Sequence, residues 1–252
     1  MILRMISRIT RLLAAIALCS AAPAVLAQET GTAPVTTQPP APQRPVSPAE
    51  LARVAIVTDL GTITLDLDLT NAPVTSRNFL RYAKEKRFDG TSFYRVMRLD
   101  WGQQPNGLIQ GGTRADLKRD LPPIAHEPTT QTGIRHQTGA ISMARFAPGT
   151  AKGDFTIMMS NMSGLDAQPD SASPDLQPGY AAFGRVVDGM DVARLIFDAP
   201  ISPTLGEGFM RGQMIERPVR IISVRQIARP SAPAADTGPA TESAQDKKPP
   251  SP

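Results

Sequence analysis

Two histidines, His126 and His136, and one cysteine, Cys19, are all the imidazole and thiol chemistry that 252 residues offer. A single thiol excludes a disulfide framework and a multi-thiolate zinc site. His126 sits beside Glu127, but loop-like sequence separates that pair from His136, so metal-free loop histidines are the better reading than a metal centre. No Gly-x-Ser-x-Gly elbow, phosphate-cradling glycine loop or paired-histidine signature is present. Gly206-x-Gly208 followed by Gly212 lacks the spacing of a dinucleotide loop and reads as a turn, and Met158-Met159 reads as core filler. Nucleophilic, metal-assisted and nucleotide chemistries therefore lose their usual residues. What remains is an ordered series of short patterns around arginine, glutamine and glycine, and the elements that carry them come first.

The ends of the chain stand apart from the rest. Arg4, Arg8 and Arg11 precede an apolar stretch from Leu12 to Leu18 and the small-residue site Val25-Leu26-Ala27, which makes 1–27 an export signal. The apolar run falls short of the roughly 20 residues of a spanning helix, which favours cleavage over a retained anchor and predicts no stable membrane insertion afterwards. Leu18 before Cys19 is too bulky for lipoprotein processing. Cleavage after Ala27 removes Cys19 and three arginines and takes the formal charge from +4 to +1. Nucleic acid thereby loses its electrostatic footprint as a partner. Residues 28–50 and 228–252 each hold six of the 25 prolines and few bulky apolar residues; both read as mobile spacers, with a Pro-rich recognition ligand as the less favoured alternative. One domain remains, 51–227, long enough for a sizeable core.

Strand signals open and close that domain. Val54, Ile56, Ile63, Leu65, Leu67 and Leu69 alternate with polar neighbours around Asp59-Leu60-Gly61, the pattern of a half-buried hairpin. Pro73 suits a helix's first turn, and Val74, Phe79, Tyr82 and Ala83 supply an apolar face for a helix ending near Arg87. Short strands are predicted at 92–97, 107–111, 139–144, 154–159, 181–187 and 219–227, and a second helix at 189–197. Many short strands with two helices point to a mainly β barrel or sandwich capped by helices.

The ordered patterns are Gly61-Thr62-Ile63-Thr64-Leu65, Ala72-Pro73-Val74-Thr75 with Asn78-Phe79-Leu80, Phe88 through Val96, Ile109-Gln110-Gly111-Gly112, Gly139 through Arg145, Leu165-Asp166, and Phe183 through Val192. In this order the set resembles the cyclophilin-type peptidyl-prolyl isomerases over about residues 53–227. The resemblance implies an eight-stranded antiparallel β-barrel closed by two α-helices, with the site on its outer surface. It also implies rotation about the bond preceding proline, whose barrier is about 18–20 kcal/mol because amide resonance is lost. Such a catalyst needs no cofactor, only tighter binding of the twisted amide than of either planar form. Arg95 falls on the family's catalytic arginine, a donor to the prolyl nitrogen as its lone pair localises, and Gln110 on the glutamine that orients it. Phe93, Leu108, Ala144, Arg145, Asp154, Thr156, Leu165 and Tyr180 fall where the family meets its substrate. Core packing explains Leu108 and Leu165 almost as well, and Arg145 serves through its backbone.

Several positions depart from the family pattern. Asp154-Phe155-Thr156 replaces a Gln-Phe-Phe run, so Thr156 removes the ring that floors the proline pocket and Asp154 adds a carboxylate that could pair with Arg95. Gly107 and Gly164 stand where aromatic residues are frequent, and Tyr94 and Tyr180 each replace a histidine. An inserted loop, 98–106, carries Trp101, which could swing in to rebuild the floor or could pack the loop onto the barrel. Weak binding of cyclosporin, a ligand associated with the family, is expected from the lost apolar contact. The expectation is a monomeric isomerase of exported proteins in the bacterial periplasm, acting on proline-containing polypeptides. The rival is a cyclophilin-fold peptide-binding module with little turnover.

Overall fold

In the computed structural model, residues 50–229 apart from Asp175 are described, so the expected export signal and nearly all of both expected Pro-rich spacers lie outside the described residues. In chain order the elements are β1 (Leu51–Thr58), β2 (Gly61–Asp68), α1 (Pro73–Lys84), β3 (Ser92–Arg98), β4 (Gly107–Gly112), α2 (Thr129–Thr132), β5 (Ala140–Met143), β6 (Asp154–Met158), β7 (Ala182–Asp188), α3 (Met190–Phe197), β8 (Ile201–Ser202) and β9 (Met214–Ile227). The strands run β1-β2-β7-β5-β6-β4-β3-β9, and β9 returns to pair with β1. Eight antiparallel strands thus close a barrel with no free edge. The two-residue β8 is an appendage on β9, and the four-residue α2 is a further departure from the two expected helices.

Alternation builds this architecture. In β1 every second residue is buried, with Val54 and Ile56 fully enclosed, and in β2 Ile63, Leu65 and Leu67 face the same interior. Phe79 of α1 enters the barrel among Phe88, Phe155 and Phe183, with ring centroids 4.9, 5.3 and 5.6 Å away, and Phe93 meets Phe155 edge-on at 5.6 Å. Val192, Ala193, Ile196 and Phe197 of α3 join the same core. The last strand begins at Met214 rather than at 219. Pro218 has no N–H to give, and the chain accommodates it by leaving the β3 ladder: Phe93 faces Val219, whereas Arg95 already faces Met214.

The start of α1 is capped from outside its own sequence. Ala72 contributes no side-chain cap. The carboxylate of buried Glu127 instead accepts the Val74 and Thr75 N–H groups at 3.1 and 2.8 Å and the Thr75 hydroxyl at 2.7 Å. A negative group there satisfies orphan donors and complements the helix dipole. Glu127 is thus a cap supplied from a distant loop rather than a partner for His126, whose Nε2 lies 2.8 Å from the Pro178 carbonyl.

Candidate functional site

Successive side chains of a strand point to opposite faces, so the strands that wrap the aromatic core present a second surface outward. Across that surface the ladders place Arg95 opposite Gln110, Gln110 opposite Thr156, and Thr156 opposite Ser142. One row therefore spans β3, β4, β6 and β5. The neighbouring row holds Met97, Leu108 and Met158, which cluster with Leu99, Ala140, Met162 and Leu165 outside the barrel. A polar row beside a small apolar patch is the site's basic plan.

Arg95 is gripped from two sides. Its Nη1 donates to Gln110 Oε1 at 2.7 Å, while Nε and Nη2 donate to Gln213 Oε1 at 2.9 and 2.7 Å. Gln213 lies just before β9, is tied to Val96 N–H through its own carbonyl at 2.8 Å, and donates from Nε2 to the Phe209 carbonyl at 2.9 Å. The Phe209 ring, 74% exposed, lies 5.5 Å from the guanidinium carbon, within cation–π range. A guanidinium has five N–H donors in a fixed fork. With three engaged, one on Nη1 and one on Nη2 remain. Both clamps are neutral amides, and Arg95 has no ion pair among the described residues, so its charge is left unquenched. Burial lowers its pKa, yet an arginine stays protonated at any working pH.

Asp154 does not pair with Arg95. The register shifts between Phe93 and Arg95, and Tyr94 is interposed. The Tyr94 hydroxyl donates to Asp154 Oδ1 at 3.1 Å and accepts from Gln110 Nε2 at 2.8 Å; Arg114 N–H also donates to Asp154 Oδ1, at 2.7 Å. Burial raises the Asp154 carboxyl above the usual carboxylate range, with the Arg114 and Tyr94 hydrogen bonds opposing it. Burial likewise raises the Tyr94 phenol, and the Asp154 charge adds to it.

Of the other expected contacts, Leu108 and Leu165 meet in the outer apolar cluster, Leu108 being 5% exposed. Thr156 lies beside them with its hydroxyl 3.3 Å from the Ser142 carbonyl. Ala144 binds its N–H to the Asp154 carbonyl at 2.9 Å, extending β5 along β6. The Arg145 guanidinium stacks 4.6 Å from the Tyr180 ring and donates to the Gly179 carbonyl, so its side chain braces the rim. Phe93 is the exception among them: fully buried in the core, it has nothing to offer a ligand on the outer face. Trp101 does not floor the pocket either. It is 65% exposed on its loop, beside a cleft of about 450 Å³ that it lines with Asn106, Thr138 and Asn161, and neither Arg95 nor Gln110 borders that cleft. Gly107 and Gly164 differ in kind. At Gly107, φ is +142° and a Cβ would stand 1.9 Å from the Met97 carbonyl oxygen, so no side chain fits; at Gly164 a Cβ would meet nothing within 4 Å, so a side chain has room there.

His136 links this face to the turn beyond it. Its Nδ1 is 2.7 Å from Asp166 Oδ1 and its Nε2 2.9 Å from Ser142 Oγ. The connectivity matches a Ser-His-Asp nucleophile, but Ser142 is fully buried and presents no hydroxyl to a substrate. Burial lowers the His136 pKa more than Asp166 raises it, which favours a neutral ring that accepts from Ser142 and donates to Asp166. The group braces β5. Gln213, Phe209 and this brace have no counterpart among the sequence-derived site residues; for Gln213 the available signal was an amide side chain just before the final strand, too common to single out.

Comparison with known proteins agrees with this geometry. The family described as cyclophilin type peptidyl-prolyl cis-trans isomerase/CLD matches residues 53–226. A peptidyl-prolyl cis-trans isomerase of Acinetobacter baylyi is 35% identical over 176 residues, covering 68% of this chain and 84% of that protein. Peptidyl-prolyl cis-trans isomerase A of Dickeya dadantii is 37% identical over 145 residues, covering 56% and 68%. A cyclophilin type isomerase of Cryptosporidium parvum, crystallised in the presence of the dipeptide Ala-Pro, superposes with a TM-score of 0.53 at 19% identity, covering 70% of this chain and 99% of that one.

Proposed function

The chain belongs to the cyclophilin-type peptidyl-prolyl cis-trans isomerases, and on that premise we propose that Arg95 is its catalytic residue, acting on proline-containing polypeptides outside the cytoplasm. One observation carries the assignment. Gln110 and Gln213 hold the guanidinium edge in place and leave two N–H donors unengaged. As the amide twists, resonance is lost and the prolyl nitrogen regains a lone pair that a fixed, charged donor stabilises. The planar forms offer that donor no such lone pair, so the interaction is made in the transition state alone and lowers the barrier. The proline ring rests on the Leu108–Leu165 patch. With Thr156 in place of a ring and open space at Gly164, that contact is shallow, which suits weak binding and rapid release.

Export rests on the sequence of residues 1–27, with Arg4, Arg8 and Arg11 ahead of the apolar run and Ala27 at the cleavage site. Cell fractionation with N-terminal sequencing tests it: a periplasmic protein beginning at Gln28 supports export, and a cytoplasmic protein with an intact N-terminus refutes it. The catalytic assignment is tested by NMR exchange between cis and trans forms of a short Xaa-Pro peptide. Acceleration by the full chain that Arg95→Ala abolishes supports the assignment. Undiminished exchange with Arg95→Ala refutes it, and a folded wild type that accelerates nothing returns the peptide-binding module as the better account.

A further inference from the structure

The residues that replace the family's glutamine and histidine, Asp154 and Tyr94, stand at the far end of the hydrogen-bond chain that reaches Arg95. We propose that Asp154 and Tyr94 are positioning residues that set the direction of this chain, and so keep the carbonyl end of Gln110, rather than its NH2, against the catalytic arginine. The inference rests on the assignment of Arg95 made above.

The argument is one of donors and acceptors. An ionised carboxylate only accepts, and a phenol has a single proton to give. Tyr94 spends that proton on Asp154 Oδ1, so its oxygen is left to accept, and Gln110 Nε2 fills that place at 2.8 Å. An amide whose NH2 is drawn to one side must present its oxygen to the other, where Arg95 Nη1 waits at 2.7 Å. Turned round, the NH2 would face the guanidinium donor to donor and push Arg95 out of line. Water has little opportunity to relax this choice, because Tyr94 is 5% and Gln110 7% exposed. Arg114 contributes twice, its N–H pinning Asp154 and its guanidinium lying 5.5 Å from the centre of the Tyr94 ring.

Exchange kinetics of an Xaa-Pro peptide, with kcat and KM separated, test the relay in the full chain alongside Arg95→Ala. Tyr94→Phe and Asp154→Leu are each expected to lower kcat roughly three- to tenfold with KM unchanged, because Arg95 keeps its charge and its Gln213 clamp and loses only the fixed sense of Gln110. The double variant should be no slower than Tyr94→Phe, because both act through one chain. Asp154→Asn, which keeps an oxygen for Tyr94, should retain most of the rate. The Arg95 guanidinium N–H signals should be sharp in the wild type and broaden in Tyr94→Phe and Asp154→Leu alone. Additive losses, an Asp154→Asn as slow as Asp154→Leu, or full activity in Tyr94→Phe would each overturn the relay. Full activity in Arg95→Ala would instead overturn the parent assignment, which separates the two failures. Thermal unfolding of each variant identifies any loss that comes from misfolding, and in a destabilised variant the guanidinium signals of the folded fraction decide the question.

Discussion

The inner and outer faces of the same strands follow different rules. Inside, Phe93, Phe155, Ile109 and Ile157 are wholly buried in one apolar core. Outside, Arg95, Gln110 and Thr156 form a polar row that bonds to Tyr94 and Ser142 on neighbouring strands and, through Arg95, to Gln213 on the loop before β9. The inner face is held by many weak, nondirectional contacts; the outer face by a few directional ones. Stability should therefore reside inside and activity outside, with little crossover.

The sharpest way to break this division is Phe155→Ala. Removing a ring that meets Phe79, Phe88 and Phe93 should cost about 3–5 kcal/mol of stability, read from denaturant unfolding, while the folded fraction keeps its turnover. Arg95→Ala should do the converse. By analogy with deleting one preorganised donor, kcat/KM should fall by about a hundredfold or more, with stability changing by only about 1 kcal/mol. A smaller effect is expected from Gln213→Ala, roughly tenfold in kcat with KM unchanged, because Gln110 still holds one edge of the guanidinium. An unchanged kcat there would mean that a single amide suffices.

The smallest effect concerns pH, and it sharpens the same contrast. Asp66 hydrogen-bonds to Arg53 at 2.8 and 2.9 Å, and Asp89 to Arg225 at 2.7 and 2.6 Å; those bonds hold both carboxyls below their ordinary range. A group whose folded pKa is depressed contributes stability above its unfolded pKa, about 4, and that contribution is lost as pH falls through the lower folded value. The melting temperature should therefore decline in two stages, first below about 6.5 as the unfolded chain protonates His136, which burial keeps neutral in the fold, and then below about 4 as these carboxylates lose their pairs. Asp66→Asn and Asp89→Asn should each flatten part of that decline. A decline below about pH 4 that both substitutions leave unchanged would assign that sensitivity to groups other than these carboxylates.

How far the sequence carries follows the same division. Period-two alternation in β1 and β2 and helical spacing around Phe79 and Ile196 are local signals, so barrel strands and both main helices were legible. The juxtaposition of Arg95 and Gln110 was legible too, since neighbouring strands carry them within recognisable patterns. Gln213 was not: it lies 118 residues from Arg95 in the chain, on a segment with no periodicity. The expected pairing of Asp154 with Arg95 failed for a comparable reason. Charge alone suggests the pair, but the shift in the β3–β4 register interposes Tyr94, and a bulge leaves no mark in composition. Glu127 looked like a neighbour of His126 because sequence distance was the only distance to hand, whereas its partners lie some 50 residues earlier.

Closure of the barrel by its last strand has a consequence for the order of biosynthesis. β1 pairs with β9, and Gln213 immediately precedes β9. During vectorial synthesis, every strand before β9 can emerge and still leave β1 with an open edge and, until Gln213 follows, Arg95 with one clamp missing. Arrival of the final segment seals the edge and completes the grip on the arginine in one event. A chain truncated before Met214 would therefore be neither a weaker isomerase nor a smaller stable domain, but a sticky nascent sheet.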